Sequence, residues 1–194
     1  SWHTQEILQT DKDSLPIVKT RNTALRGSTS IFIYTADKDY LFATTTAVLE
    51  QLNLNIQDAR ITTAKNGFAL NTYLVLDHLG KSVQDETQLR HIVRVLKEGL
   101  VDDKISTRNP ITRLPVRQHE FMQRPTKITI EQDTDSECTL LMLRTMDRRG
   151  LLARVGQAFK KCKIKLLNAR IATFGEMAED TFIITNNNNE PLSQ

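Results

Sequence analysis

The chain has 194 residues, of which 39% are hydrophobic and 25% charged, and its formal net charge is +3. These values are typical of a globular protein and argue against wholesale disorder, a fibrous repeat or a membrane span of about 20 apolar residues. The charge is too small to indicate nucleic-acid binding, which needs a concentrated basic face. Cys138 and Cys162 are too few for a disulfide framework or a zinc site, so we expect reduced thiols and a cytoplasmic location.

Two segments of the chain resemble each other at an offset of 110 residues. Residues 29–63 match residues 139–173 without a gap, and Asp37 corresponds to Asp147. The tripeptide Ala59-Arg60-Ile61 recurs as Ala169-Arg170-Ile171. This period is far longer than the roughly 20–50 residues of a solenoid repeat, so it predicts two copies of one small domain.

Each copy predicts the same order of elements. A β-rich segment comes first, at 30–35 in the first copy and at 140–145 in the second. A short polar loop and a helix with apolar residues at helical spacing follow it. The next segment, 54–63 in the first copy, alternates in the manner of a half-buried strand.

The first copy continues through an Asn-Gly hairpin turn to a returning strand over 68–76 and an amphipathic helix within 83–100. The second copy returns over 178–185 and has no second helix. Two short β-rich runs, 15–19 and 126–131, predict one strand leading into each copy.

The element order β-α-β-β-α-β is that of a ferredoxin-like sandwich of the α+β class, with helices on one face of an antiparallel sheet. We expect a first domain at 15–101 and a second, truncated domain at 125–194. The polar stretch 102–124, with two prolines, predicts a linker. Residues 1–14 are expected to follow another domain.

The strand–helix turn of the second copy is a candidate anion site. Asp147 ends the strand and Gly150 precedes the helix, where free backbone N–H groups and the helix dipole favour a carboxylate. Asp147 could accept a hydrogen bond from a ligand, and Gly150 would allow close approach to the backbone. The alternative is an ordinary helix N-terminus without a ligand. The first copy has Tyr40 in place of Gly150, so we expect its pocket to be poorer or filled.

Binding of RNA is a further possibility for this fold, and it requires exposed aromatic residues on the central strands. The candidates there are Phe32, Tyr34, Tyr73 and Phe182, of which only Phe32 and Tyr34 are expected on one face. We therefore expect no nucleic-acid partner.

Catalytic machinery is not visible in the sequence. Asp37 and Asp39 follow a Gly-Ser pair, as in magnesium-dependent nucleotidyl transfer, but Lys38 lies between them and Arg149 stands at the second copy's counterpart of Asp39. The four histidines show no metal spacing. The sequence predicts neither a metal site nor a catalytic residue in this chain.

The turn Asp147-x-x-Gly150-Leu151-Leu152-Ala153, with residues 167–173 and the later Gly175-Glu176, resembles an ACT domain. The first copy resembles the same family through Asp37-x-x-Tyr40-Leu41-Phe42-Ala43. As a tandem pair, the chain is similar to the C-terminal regulatory region of the uridylyltransferases that modify the PII nitrogen-signalling protein. It departs from the family pattern at Arg149, where proline is usual, and at Tyr40, where glycine is usual.

The resemblance implies an allosteric module that senses an amino acid, glutamine, for a longer enzyme that also removes the uridylyl group. It places the effector carboxylate at the amides of Gly150, Leu151 and Leu152, with Asp147, Asn168 and Ala169 binding the amino or amide group. It implies a weaker second site at Asp37, Leu41 and Phe42. The implied partners are glutamine, PII through the longer enzyme, and other ACT domains.

Magnesium and UTP would belong to catalytic domains outside this chain, so we expect no cofactor here. Two other functions stay open at this point. The chain could be a docking or dimerisation module without a ligand, or a ferredoxin-like pair that binds RNA.

Overall fold

The computed structural model of the chain describes residues 15–23, 27–64, 66–101, 125–133 and 137–192. The segment 1–14 and the linker 102–124 lie outside the described residues. The described elements, in chain order, are β1 (Ile17–Thr23), β2 (Ser28–Ala36), α1 (Leu41–Gln51), β3 (Asn55–Thr63), β4 (Phe68–Leu76), α2 (Glu86–Val101), β5 (Lys127–Asp133), β6 (Cys138–Met146), α3 (Leu151–Lys161), β7 (Lys165–Phe174) and β8 (Met177–Thr185).

The strands form one antiparallel sheet in the order β1-β2-β4-β3-β7-β8-β6-β5. The first four positions belong to the first copy and the last four to the second, and β3 pairs with β7 at the junction. Arg60 lies opposite Arg170 there, with Asp58 opposite Ala172 and Thr62 opposite Asn168. Arg60 and Arg170 are repeat equivalents, and the offset of 110 residues exchanges the other two pairs with each other, so the two copies are related by a local two-fold axis.

The leading strands hold the two outer edges of the sheet. β1 pairs antiparallel with β2, and β5 pairs in the same way with β6. In a βαββαβ sandwich the last strand takes this edge, whereas here a strand that precedes each copy does so. The prediction of one leading strand per copy, and that of an α+β ferredoxin-like fold, are confirmed.

The helices lie on one face of the sheet, and the main core lies between them and the strands. Buried residues of the central strands, among them Ile31, Tyr73 and Phe182, form one cluster with residues of the three helices. Helix α1 contacts both α2 and α3, so even Thr45 and Thr46 are buried in it. Their hydroxyls donate to the Leu41 and Phe42 carbonyls at 2.8 Å, which satisfies these polar groups inside the core.

The two edges of the sheet differ in how they are covered. Helix α2 packs on β1, and Val18 of that strand is 2% exposed. Ile128 takes the equivalent place on β5 and is 58% exposed, as is Ile130. Within the described residues the second copy has no counterpart of α2. The first copy's helix layer is therefore the more complete of the two.

The repeat itself extends almost to the end of the described chain. The Val83 N–H donates to Thr29 Oγ1 at 2.8 Å, and the Leu192 N–H donates to Thr139 Oγ1 at the same distance. The turns before these residues also match, since the carboxylate of Asp77 and the amide oxygen of Asn186 each accept two backbone N–H groups.

Candidate functional site

The two strand–helix turns lie at two equivalent corners of the helix layer. At the first corner, residues 37–43 face Gly156, Phe159 and residues 164–167 of the second copy. At the second corner, residues 147–153 face Thr46, Glu50 and residues 54–56 of the first copy. Each corner is thus built from both copies, and the local two-fold axis exchanges one corner with the other.

Both turns present free donors at a helix N-terminus. The preceding residues, Tyr40 and Gly150, have φ of 64° and 73°, and neither helix has a side-chain cap. Among the described residues, the N–H groups of Phe42 and Ala43 have no acceptor, and the same holds for Leu152 and Ala153. Such groups, together with the helix dipole, favour a negative ligand atom.

The first corner contains a cavity of about 450 Å³. Its polar lining includes Asp37, Lys165 and Asn71. Asn71 is 1% exposed, and its Oδ1 has no hydrogen bond of normal geometry among the described residues, although the Tyr73 side chain lies nearby. Burial raises the pKa of the Asp37 carboxyl, although the Lys38 N–H and nearby Lys165 oppose that shift. The cavity therefore combines a free acceptor, a carboxyl and a cation beside the helix N-terminus.

The second corner contains a cavity of only about 20 Å³, room for about one water molecule. The carboxyl carbon of Glu50 lies 3.3 Å from the position that a Cβ on Gly150 would take. The Asp147 carboxylate accepts from the Arg148 N–H and the Asn55 side chain, while burial raises its pKa. The predicted residues Asp147, Gly150, Leu151 and Leu152 do meet here, but there is little space for a ligand.

The sequence predicted a poorer or filled pocket at the first corner. Instead, the first corner has the larger cavity of the two. Tyr40 lines the first cavity without filling it, and the Lys160 ammonium lies 5.5 Å from the centre of its ring. The space freed by Gly150 at the second corner is taken by Glu50. The residue across the two-fold axis, rather than the residue in the turn, decides how open each corner is.

Asn168 and Ala169 do not line either corner. They lie opposite Thr62 and Ile61 at the junction of the two copies. The strand residues that complete the second corner, Asn55 and Ile56, come from the first copy. Asn168 and Ala169 were expected there because they belong to the same copy as Asp147, and nothing in one copy alone records how the two copies pair.

Three further residues of the corners, Asn71, Glu50 and Lys165, were not among the site residues predicted from the sequence. The available signal was the repeat alignment, which places Glu50 against Lys160 and Asn55 against Lys165. These pairs differ in charge, and such differences mark the places where the two corners differ chemically.

Asp180 stands in the second copy where Asn71 stands in the first. It is 2% exposed, and neither carboxylate oxygen has a hydrogen bond of normal geometry among the described residues. Burial, with a smaller contribution from the charge of Asp147, raises the pKa of Asp180 to about 7, although the Ala172 N–H opposes the shift. The second copy therefore has a buried titratable carboxyl where the first copy has a neutral amide.

Neither a metal centre nor an RNA platform is built from the described residues. No group of three or more His, Cys, Asp or Glu side chains is placed there to hold a metal. Phe32, Tyr73 and Phe182 are fully buried, and Tyr34 stacks on Phe68 with the ring centres 5.2 Å apart. Three of the four aromatic residues considered for RNA stacking are thus inside the protein, and Tyr34 is half-buried. In the described ranges, none of the helices combines the length and apolar character of a membrane span.

No protein-family model matches the chain. Over its full length it is 43% identical to the bifunctional uridylyltransferase/uridylyl-removing enzyme of Pseudomonas putida strain F1. It is 42% identical to the enzymes of that description from Ectopseudomonas mendocina and from Pseudomonas syringae pv. syringae. From end to end, the chain is similar to one segment of these enzymes.

The chain spans 22% of the length of these bifunctional uridylyltransferase/uridylyl-removing enzymes. The expected resemblance to uridylyltransferases is confirmed. Among solved structures, aspartate kinase from Synechocystis aligns with 84% of this chain and 25% of its own, at a TM-score of 0.45 and 14% identity. That likeness is too weak to support an inference about function.

Proposed function

We propose that this chain is the effector-sensing region of a bifunctional uridylyltransferase/uridylyl-removing enzyme. In this proposal it binds glutamine and sets the balance between adding and removing uridylyl groups on the PII protein. The observation that supports it is the 450 Å³ cavity at the first corner, which falls within the roughly 300–1,000 Å³ of small-molecule sites.

The polar groups of the first corner fit the three polar groups of glutamine. The α-carboxylate suits the free N–H groups of Phe42 and Ala43, with Lys165 adding positive charge. The α-ammonium suits the carboxylate of Asp37. The side-chain amide can donate to Asn71 Oδ1, which otherwise stays buried without a partner.

Asn71 gives a physical reason for preferring glutamine to glutamate. Its Oδ1 is a buried acceptor without a hydrogen bond of normal geometry, and the Tyr73 side chain beside it is the nearest competitor for a ligand amide. An amide N–H satisfies this atom, whereas the carboxylate of glutamate offers only acceptors and would be desolvated against it. A site that matches buried polar groups in this way can discriminate strongly between ligands of the same shape.

The position of the corner suggests how binding is transmitted. A ligand there touches α1 of the first copy and the start of β7 in the second, so it favours one arrangement of the two copies over others. The equilibrium shifts only by the difference in affinity for the arrangements, typically about 1–3 kcal/mol. The catalytic steps, with their magnesium and UTP, belong in this proposal to regions beyond this chain, and the location is cytoplasmic.

Titration calorimetry with L-glutamine, L-glutamate and L-asparagine tests the proposal. We expect heat with glutamine and at least tenfold weaker binding of glutamate. In the full enzyme, glutamine should raise removal and lower transfer of uridylyl groups. A folded chain that gives no heat with any of the three amino acids would contradict the proposal and favour a docking module that needs no ligand.

A further inference from the structure

Glu50 places a carboxylate of the first copy at the helix N-terminus of the second. Both of its carboxylate oxygens lie 3.5 Å from the position of a Cβ on Gly150. Burial raises the pKa of the Glu50 carboxyl, whereas Arg149 and the nearby Gly150 N–H oppose that shift. The side chain thus lies beside the N-terminus of α3, where the helix dipole favours negative charge.

The equivalent place at the first corner has the opposite charge. Lys160 corresponds there to Glu50, and its ammonium lies over the Tyr40 ring rather than at the helix N-terminus. Within the part of the chain that the structure describes, no carboxylate accepts from the Phe42 or Ala43 N–H, and helix α1 has no side-chain cap. The first corner keeps its free amides and a cavity of about 450 Å³, whereas the second keeps about 20 Å³.

We propose that Glu50 is an internal substitute for a ligand carboxylate, so that the protein itself closes the second corner and each chain has one open effector site. The proposal deepens the function proposed above and rests on it for the meaning of an effector site. A second amino acid would have to displace Glu50 from a cavity of only about 20 Å³. The second corner therefore contributes a fixed contact between the copies instead of a binding site.

Formate is a direct probe of this arrangement, because it is a carboxylate small enough for the space that Glu50→Ala would leave. Amide NMR of the whole chain, with sodium chloride at matched ionic strength as the reference, follows the N–H groups of residues 150–153. In Glu50→Ala, formate should shift these amides in a saturable way. In the wild type and in Glu50→Gln, which keeps the size and an acceptor oxygen, these amides should shift at least fivefold less.

Equal responses of residues 150–153 in the wild type and in Glu50→Ala would overturn the proposal, as would a folded Glu50→Ala that shows no response. If the alanine variant does not fold, Glu50→Asp replaces it, because it withdraws the carboxylate by one methylene. Calorimetry with glutamine is a separate experiment, which counts the glutamine molecules bound per chain. We expect one per wild-type chain, and two would contradict the proposal. If glutamine does not bind at all, the proposed function fails, while the formate result still decides the role of Glu50.

Discussion

Asn71 and Asp180 occupy the same place in the two copies, opposite the equivalent residues Ile33 and Leu143, and both are buried. One is an amide that lines the open corner, and the other is a carboxyl whose pKa burial raises to about 7. The two copies thus use one backbone position for two kinds of chemistry, and the difference can be measured as a dependence of stability on pH.

Asp180→Asn should remove part of the pH dependence of unfolding. Between about pH 4 and pH 7 the folded protein keeps a proton on Asp180 that the unfolded chain has lost. The free energy of unfolding therefore falls as pH rises through this window, by up to about 4 kcal/mol for a shift of this size. Urea unfolding should show similar stability of variant and wild type near pH 4 and a more stable variant at pH 8. If the free energy of unfolding depends on pH in the same way in variant and wild type, the pKa of Asp180 is not raised.

Arg60→Glu should stabilise the junction between the copies. Arg60 lies opposite Arg170 in the β3–β7 pair, and both are exposed. Like charges directly opposite each other are unfavourable, and an opposite pair contributes up to about 1 kcal/mol. Thermal unfolding at low salt should show the gain, which should shrink at high salt. The double variant Arg60→Glu/Arg170→Glu restores a like-charged pair and should lose the gain; a gain kept in the double variant would exclude this explanation.

Val18→Ala and Ile128→Ala should differ in cost although the two positions are equivalent. Val18 is packed under α2, whereas Ile128 is 58% exposed. Removing methyl groups from the packed site should cost about 2 kcal/mol, and the exposed site about 1 kcal/mol or less. Urea unfolding of both variants measures the difference. Equal costs would show that Ile128 is covered in solution.

Asn71→Val should weaken glutamine binding without harming the fold. The change removes the buried acceptor, so the glutamine amide would lose a partner at a cost of about 1–3 kcal/mol, or at least fivefold in affinity. Stability should stay the same or rise, since an unsatisfied buried atom is lost. Thr185→Val is the matched control, because Thr185 Oγ1 is also buried and unpartnered but does not line the cavity. If both variants bind glutamine like the wild type, Asn71 is not part of the site.

The fold could be predicted further than the site could. The strand over 68–76 was predicted at its observed bounds, because its alternating pattern follows an Asn-Gly turn with Gly67 at φ 78°. Helix α2 begins at Glu86 rather than at Val83, since Asp85 Oδ1 accepts from the Thr87 N–H at 2.6 Å. Val83 matches the apolar spacing of the helix, but it lies in the loop before the helix and packs into the core from there.

The site depends on how the two copies pair, and apolar periodicity is the same for edge-to-edge and face-to-face packing. Glu50 looks like an ordinary residue on the surface of a helix until β3 and β7 join and bring it against Gly150. For the same reason Lys165 could not be assigned to the turn at 37–43. What the sequence did establish was the turn chemistry, which is the same at both corners.

Binding of glutamine at the first corner can be followed by amide NMR in a titration of the isotope-labelled chain with L-glutamine. We expect saturable shifts that are largest at the N–H groups of Phe42 and Ala43, with the equivalent Leu152 and Ala153 nearly unchanged. Shifts confined to residues 150–153, or none at all at saturating glutamine, would contradict binding at this corner.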